Sequence, residues 1–282
     1  MSFRLLVADS EGAEAREARR ASVGQSAGES FRHFLGRLES DAAVELATPA
    51  DADAPVLTPV TLAGFDAVFL TGSPLHIYDG SPESEREIAF MRAVFASRTP
   101  SFGSCAGLQV AAAAAGGTVR RAARREAGFA RRITPTEAGR AHPLLAGRPR
   151  AYDAMTIHGD EVERLPPDAT LLATNSRCRV QAAEIRHDGG VFWGVQYHPE
   201  LTLHEIATAL RRDADDLVEA GLARERSEVE AQADLLDALG REPDRADLRW
   251  RLGVDEEVAR DELRRREVQN FLDHLVRPRT QT

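Results

Sequence analysis

The heptapeptide Gly103-Ser104-Cys105-Ala106-Gly107-Leu108-Gln109 constrains this chain more than any other stretch. Residues 99–102 before it read as a short strand. Residues 106–115 after it are apolar almost all round and stop at Gly116-Gly117, the pattern of a buried helix ended by a left-handed cap. A cysteine on so sharp a strand-to-helix turn is held in a strained conformation, so its neighbours about two positions either side must be small. Gly103 and Gly107 meet that demand. The turn also sets the thiol at a helix N-terminus, where the dipole and free N–H groups favour the thiolate. A small buried cysteine beside a turn is the lesser alternative for the heptapeptide, and a nucleophile also needs a base from elsewhere.

Gly194-Val195-Gln196-Tyr197-His198-Pro199-Glu200 supplies one, at the end of a further predicted strand. Proline fixes its own φ and pushes the residue before it into the extended region, so His198 and Glu200 are held two residues apart in a stiff arrangement. His198 would take the thiol proton and later protonate a leaving amine, while Glu200 fixes the imidazole tautomer. Leu70-Thr71-Gly72-Ser73-Pro74 follows a third apolar run, residues 66–70. Ligands of open α/β sheets bind at the carboxyl ends of the strands, where this turn and Cys105 would both emerge. The backbone N–H groups of Ser73 and Ala106 could then form an oxyanion hole, although an ordinary Gly-Ser-Pro turn accounts for the same residues.

Around these segments the first two thirds of the chain alternate strand and helix. Residues 4–8, 66–70 and 99–102 are short apolar runs, and between the first two Phe31, Phe34, Leu35 and Leu38 make one apolar helix face, with Ser30 as its cap. Residues 11–29 are polar enough to be a mobile loop. Short strands at 151–157, 170–174, 180–186 and 191–197, with Asp188-Gly189-Gly190 as a hairpin turn, predict an antiparallel or mixed half. After Glu200 the chain reads as helical to residue 276, with Ser227-Glu228-Val229-Glu230 as a capping box and Val268, Phe271, Leu272, Leu275 and Val276 as a stripe.

The net charge of −9, with arginines interleaved among acids, argues against a nucleic-acid surface. Two cysteines give no disulfide framework, and no apolar run is long enough for a signal peptide or a membrane span, so a cytoplasmic location is expected. The eight histidines show no ligand spacing, and neither a metal nor a cofactor is expected.

The chain resembles the class I (triad) glutamine amidotransferases. Their Gly-x-Cys-x-Gly-x-Gln motif is matched by Gly103 to Gln109 and their His-Pro-Glu by His198 to Glu200, in the same order. The resemblance covers residues 1–204 or so. It implies an α/β, flavodoxin-like amidotransferase fold with a central, mostly parallel sheet and flanking helices, to which residues 205–282 add a C-terminal helical extension packed on or beside it. It further implies a thioester on Cys105, an oxyanion hole at Ser73 and Ala106, and substrate contacts from Gly72 and Gln109. Ile157-His158-Gly159-Asp160-Glu161-Val162 is similar to the Ser-His-Gly-Asp-x-Val stretch of the GMP synthase glutaminase domain, which brings Gly159 and Asp160 into the substrate site. The pyrophosphate-binding Ser-Gly-Gly-x-Asp-Ser loop of a fused GMP synthase does not occur in the sequence.

The leading expectation is a glutaminase that cleaves the γ-amide of glutamine and releases ammonia to a separate acceptor enzyme. A free-standing γ-glutamyl amide or peptide hydrolase would use the same residues. A binding or regulatory module is the third reading, disfavoured because it has no need of a strained elbow. The stripes of the extension would serve packing on its own domain, a partner, or a homodimer.

Overall fold

The computed structural model describes residues 2–281. Nine strands form one sheet: β1 (Arg4–Ala8), β2 (Ala43–Ala47), β3 (Ala67–Leu70), β4 (Ser101–Ser104), β5 (Thr118–Pro135), β6 (Tyr152–Arg164), β7 (Ala169–Thr174), β8 (Ala182–His187) and β9 (Gly190–Val195), in the order β2-β1-β3-β4-β9-β8-β7-β5-β6. The first five strands of that order run parallel and the rest pair antiparallel. The parallel part is the flavodoxin-like arrangement, whose ligand site lies outside the carboxyl ends of the strands. The expected α/β fold with a C-terminal helical region is therefore present.

Helices cover both faces because the parallel strands are apolar on both. Phe31, Phe34 and Leu35 pack with Leu5, Val7 and Phe69 on one face, while Leu108, Val110 and Ala112 pack with Val68, Leu70 and Phe192 on the other. The C-terminal helices divide between two places. Ile206, Leu210, Leu236 and Leu248 build a separate cluster against Phe129 and Met155 of the β5–β6 pair. Val268, Phe271, Leu272 and Val276 instead enter the core of the main sheet, with the Phe271 ring edge-on to Phe69 at 5.4 Å and to Trp193 at 6.0 Å. Among the described residues no helix is long and apolar enough to cross a membrane.

Four local expectations are corrected. Residues 11–29 are not a mobile loop: Ala13–Val23 is a helix whose inward face is charged, with Arg16 bonded to Asp51 and Arg19 to Glu205, so hydrophobic periodicity does not show it. The Ala27–Leu38 helix is capped by Ser26, in a capping box with Glu29, and Ser30 lies buried inside its first turn. Ser227 caps nothing, because the Arg226–Arg241 helix already begins at Arg226 and Arg224 holds Glu228. Residues 118–196 read as short strands, but β5 is a single long one, since breaks in its register with β6 interrupt its alternation. The hairpin turn is as expected, with φ of 47° at Asp188 and 79° at Gly189.

Candidate active site

Pairing in register carries the three sequence segments to one rim. Leu70 of β3 lies opposite Gly103 of β4, and Gly103 and Ser104 lie opposite Gly194 and Val195 of β9. Because these strands are parallel, Thr71 to Ser73, Cys105 and Gln196 to Glu200 leave the sheet side by side. The Cys105 N–H is bonded to the Val195 carbonyl and the His198 N–H to the Met155 carbonyl, which fixes both turns.

Cys105 has φ 52° and ψ −109°, directly before the Ala106–Ala114 helix. The strain is locked by close packing. A Cβ on Gly107 would lie 2.7 Å from the Leu70 carbonyl oxygen, and one on Gly103 would lie 3.0 Å from the Gly107 backbone. Gly72 is equally constrained, since a Cβ there would lie 2.7 Å from His198 Cε1. The backbone of β3's exit thus rests directly on the imidazole.

The structure brings Cys105, His198 and Glu200 together, each 6% exposed. His198 Nδ1 is 2.7 Å from Glu200 Oε1, which leaves Nε2 as the ring nitrogen free to take the thiol proton, and the Cys105 Sγ lies 4.0 Å from the Ile157 carbonyl oxygen. Burial alone would depress the imidazole pKa. The Glu200 charge, the hydrogen bond to Glu200 and the neighbouring Cys105 outweigh that and raise it from its usual 6.5 to about 10. Ser104 is a contributor that the sequence reading overlooked: its hydroxyl donates to the same Glu200 oxygen at 2.8 Å. Its place inside the elbow motif was the available signal. The N–H groups of Ser73 and Ala106 meet no acceptor within the protein among the described residues, while Ser73 Oγ is used locally, accepting from the Leu75 N–H.

The remaining candidates sit differently. Gln109 is buried and its Nε2 donates to the Asp160 carbonyl at 3.0 Å and to Gln196 Oε1 at 3.3 Å. The Asp160 carboxylate faces His76 Nδ1 at 2.6 Å and accepts from the Tyr78 hydroxyl at 3.2 Å, tying β6 to the loop after Ser73. Gly159 is open, with nothing within 4 Å of where a side chain would begin. Cys178, the second thiol, is buried, and burial followed by the Glu126 charge pushes its pKa up.

Comparison with known proteins covers the stretch of chain that carries these residues. A family model described as glutamine amidotransferase class-I matches residues 24–215. The chain is 39% identical to a gamma-glutamyl-L-1-hydroxyisopropylamide hydrolase of a Pseudomonas species, over 98% of this chain and 94% of that protein. It is 33% identical to a glutamine-hydrolyzing GMP synthase of Xanthomonas axonopodis over 61% of this chain, but spans only 34% of that longer protein. A crystal structure of a glutamine amidotransferase from Thermotoga maritima superposes with a TM-score of 0.65 over 98% of this chain and 99% of that one, a likeness of fold at 15% identity.

Proposed function

Since the chain belongs to the class-I glutamine amidotransferase family, we propose that it is a cysteine-dependent hydrolase of γ-glutamyl amides that works without a partner. The observation that carries this reading is the end-to-end likeness to a γ-glutamyl amide hydrolase, which includes the C-terminal helices. The second reading, ammonia delivery to a separate acceptor enzyme, is favoured by the likeness to GMP synthases over part of the chain.

In the proposed mechanism the Cys105 sulfur attacks the γ-carbonyl carbon, and the oxygen's growing charge is met by the N–H groups of Ser73 and Ala106. One such donor is typically worth on the order of 3 kcal/mol in the transition state. His198, holding the proton taken from the thiol, gives it to the departing amine as the C–N bond breaks and leaves a thioester. His198 then accepts a proton from the attacking water, the C–S bond breaks, and the thiol and glutamate are restored. Glu200, itself oriented by Ser104, keeps the ring in the tautomer this requires.

The protonation of His198 sets the alkaline limit. A group raised to about 10 keeps its proton until the pH rises through that value, so kcat/KM is expected to fall on the alkaline side near pH 10. Glu200→Gln removes the charge that most favours the imidazolium. The alkaline limb should move to lower pH and the rate should drop roughly a hundredfold without vanishing. An unmoved limb would show that Glu200 does not act on this imidazole.

Substrate class is tested with purified protein, glutamine and a panel of γ-glutamyl amides of larger amines, with and without cell extract, by measuring glutamate and the released amine. The proposal expects partner-free turnover of the larger amides at a kcat/KM above that of glutamine. Turnover of glutamine alone, and only with extract, would contradict it and favour the acceptor-coupled reading.

A further inference from the structure

We propose that the cleft between the end of the Arg226–Arg241 helix, the start of the Leu203–Arg212 helix and the chain around Arg264 binds a small molecule through its phosphate group. The cleft has a volume of about 480 Å³ and is lined by four arginines, Arg37, Arg241, Arg260 and Arg264. Thr202, two residues past Glu200, forms part of its wall. Elsewhere the arginines of the C-terminal helices are matched with acids, as Arg211 is with Asp234 at 2.7 Å and Arg226 with Asp215 at 2.9 Å. In the cleft that matching fails for three of the four, since only Arg260 has a close carboxylate that it shares with no other arginine, Asp244 at 2.9 Å.

Arg264 is the most buried of the four, with a side chain 10% exposed. Its Nη1 donates to the Val258 and Ala259 carbonyls and its Nη2 to Asp261 Oδ1 at 3.1 Å, but its buried Nε–H meets no acceptor among the described residues. Burial, and the Arg37 charge beside it, hold the Arg264 pKa below its usual value in spite of Asp261. Arg37 itself reaches only Asp261, at 4.0 Å, and Arg241 has no partner among the described residues. The acids of the lining are committed elsewhere: Asp237 is held by Arg211 and His204, and Asp261 is divided among Arg264, Arg265 and Arg37. Glu262 is exposed and makes no ion pair among the described residues. Like charges that converge on a cleft, with a buried donor left open, are stabilised by an anion that shares them.

A phosphate fits that need better than a single carboxylate does. It offers three acceptor oxygens and up to two charges to several arginines at once, and its paired oxygens match the guanidinium fork. The volume leaves room for the rest of a molecule beyond the phosphate itself. Arg37 ends the Ala27–Leu38 helix, while Arg241 and Arg264 belong to the C-terminal helices, so a ligand held by all three would clamp the C-terminal region to the sheet domain.

Isothermal titration of the full chain at constant ionic strength tests this, with inorganic phosphate, pyrophosphate and phenyl phosphate as probes and glutamate as the carboxylate comparison. Saturable one-to-one binding of at least one phosphate probe is expected, about tenfold or more tighter than that of glutamate. Arg241→Met should weaken it about tenfold and Arg264→Met by at least as much. Arg92→Met, which removes an exposed charge from the Pro82–Ser97 helix, should leave it within about twofold. If Arg264→Met fails to fold, the exposed Arg37→Met and Arg241→Met decide. Phenyl phosphate bound more tightly than inorganic phosphate identifies a phosphate ester as the ligand, and the reverse order identifies the free ion; both uphold the proposal. No saturable binding of any phosphate probe up to about 10 mM, glutamate bound as tightly as the phosphates, or an Arg92→Met loss equal to that of Arg241→Met would overturn it. None of these outcomes depends on turnover of a γ-glutamyl amide, so the proposed function stands or falls separately.

Discussion

Replacing Cys105 by alanine is expected to lower turnover of γ-glutamyl amides by about 10⁴-fold or more while the protein remains folded. A nucleophile that carries a covalent intermediate has no substitute in the site, and losses of that order follow removal of one member of such a set. Stability should change little, because the substitution removes one sulfur atom and leaves the Cys105 N–H bond to the Val195 carbonyl in place. Cys178→Ala is the matched control. That thiol is buried and its pKa is pushed up, so its loss should leave kcat/KM within about twofold. Steady-state kinetics with a parallel thermal melt check both, and an active Cys105→Ala protein would remove the basis of the mechanism.

Glu267→Ala should destabilise the protein by about 3–5 kcal/mol, the usual result of removing one partner from a buried ion pair. Glu267 is fully buried on the Arg266–Phe271 helix and accepts from Arg148 Nε at 2.6 Å, Arg148 Nη2 at 2.7 Å and the Tyr197 hydroxyl at 2.7 Å. Arg148 has a side chain 1% exposed, so its guanidinium would be left with Glu257 and the Arg264 carbonyl and no water to replace the lost carboxylate. Burial and the Glu267 charge push the Tyr197 pKa well up, so that hydroxyl keeps its proton and is a standing donor. Tyr197 directly precedes His198, and the substitution therefore also loosens the segment that carries the imidazole. Denaturant titration should show a lower midpoint at unchanged slope. A loss below about 1 kcal/mol would mean that the C-terminal helix is not held to the sheet by this pair.

The reach of the sequence is uneven for physical reasons. Gly103 to Gln109 is legible because a strand, a tight turn and a buried helix are local events, and the steric need for Gly103 and Gly107 follows from the turn itself. The Val268, Phe271 and Leu272 stripe shows that a helix has an apolar face but not what meets it; its partners Phe69, Phe102 and Trp193 lie far away along the chain. The Ala13–Val23 helix escapes detection because its inward face is made of Arg16 and Arg19, which are buried only by virtue of acids elsewhere. Gln109 and Asp160 stand out in the motifs, yet the use of the Gln109 amide nitrogen and the Asp160 carboxylate inside the protein depends on contacts that no motif encodes.

The most direct test is to quench turnover of a γ-glutamyl amide labelled in its glutamyl part, within a single turnover, and to map the label after digestion in acid. The account predicts a labile glutamyl thioester, cleaved by hydroxylamine, on the peptide that contains Cys105. Label on a different peptide, or product formed with no labelled peptide at the earliest quench times, would contradict it.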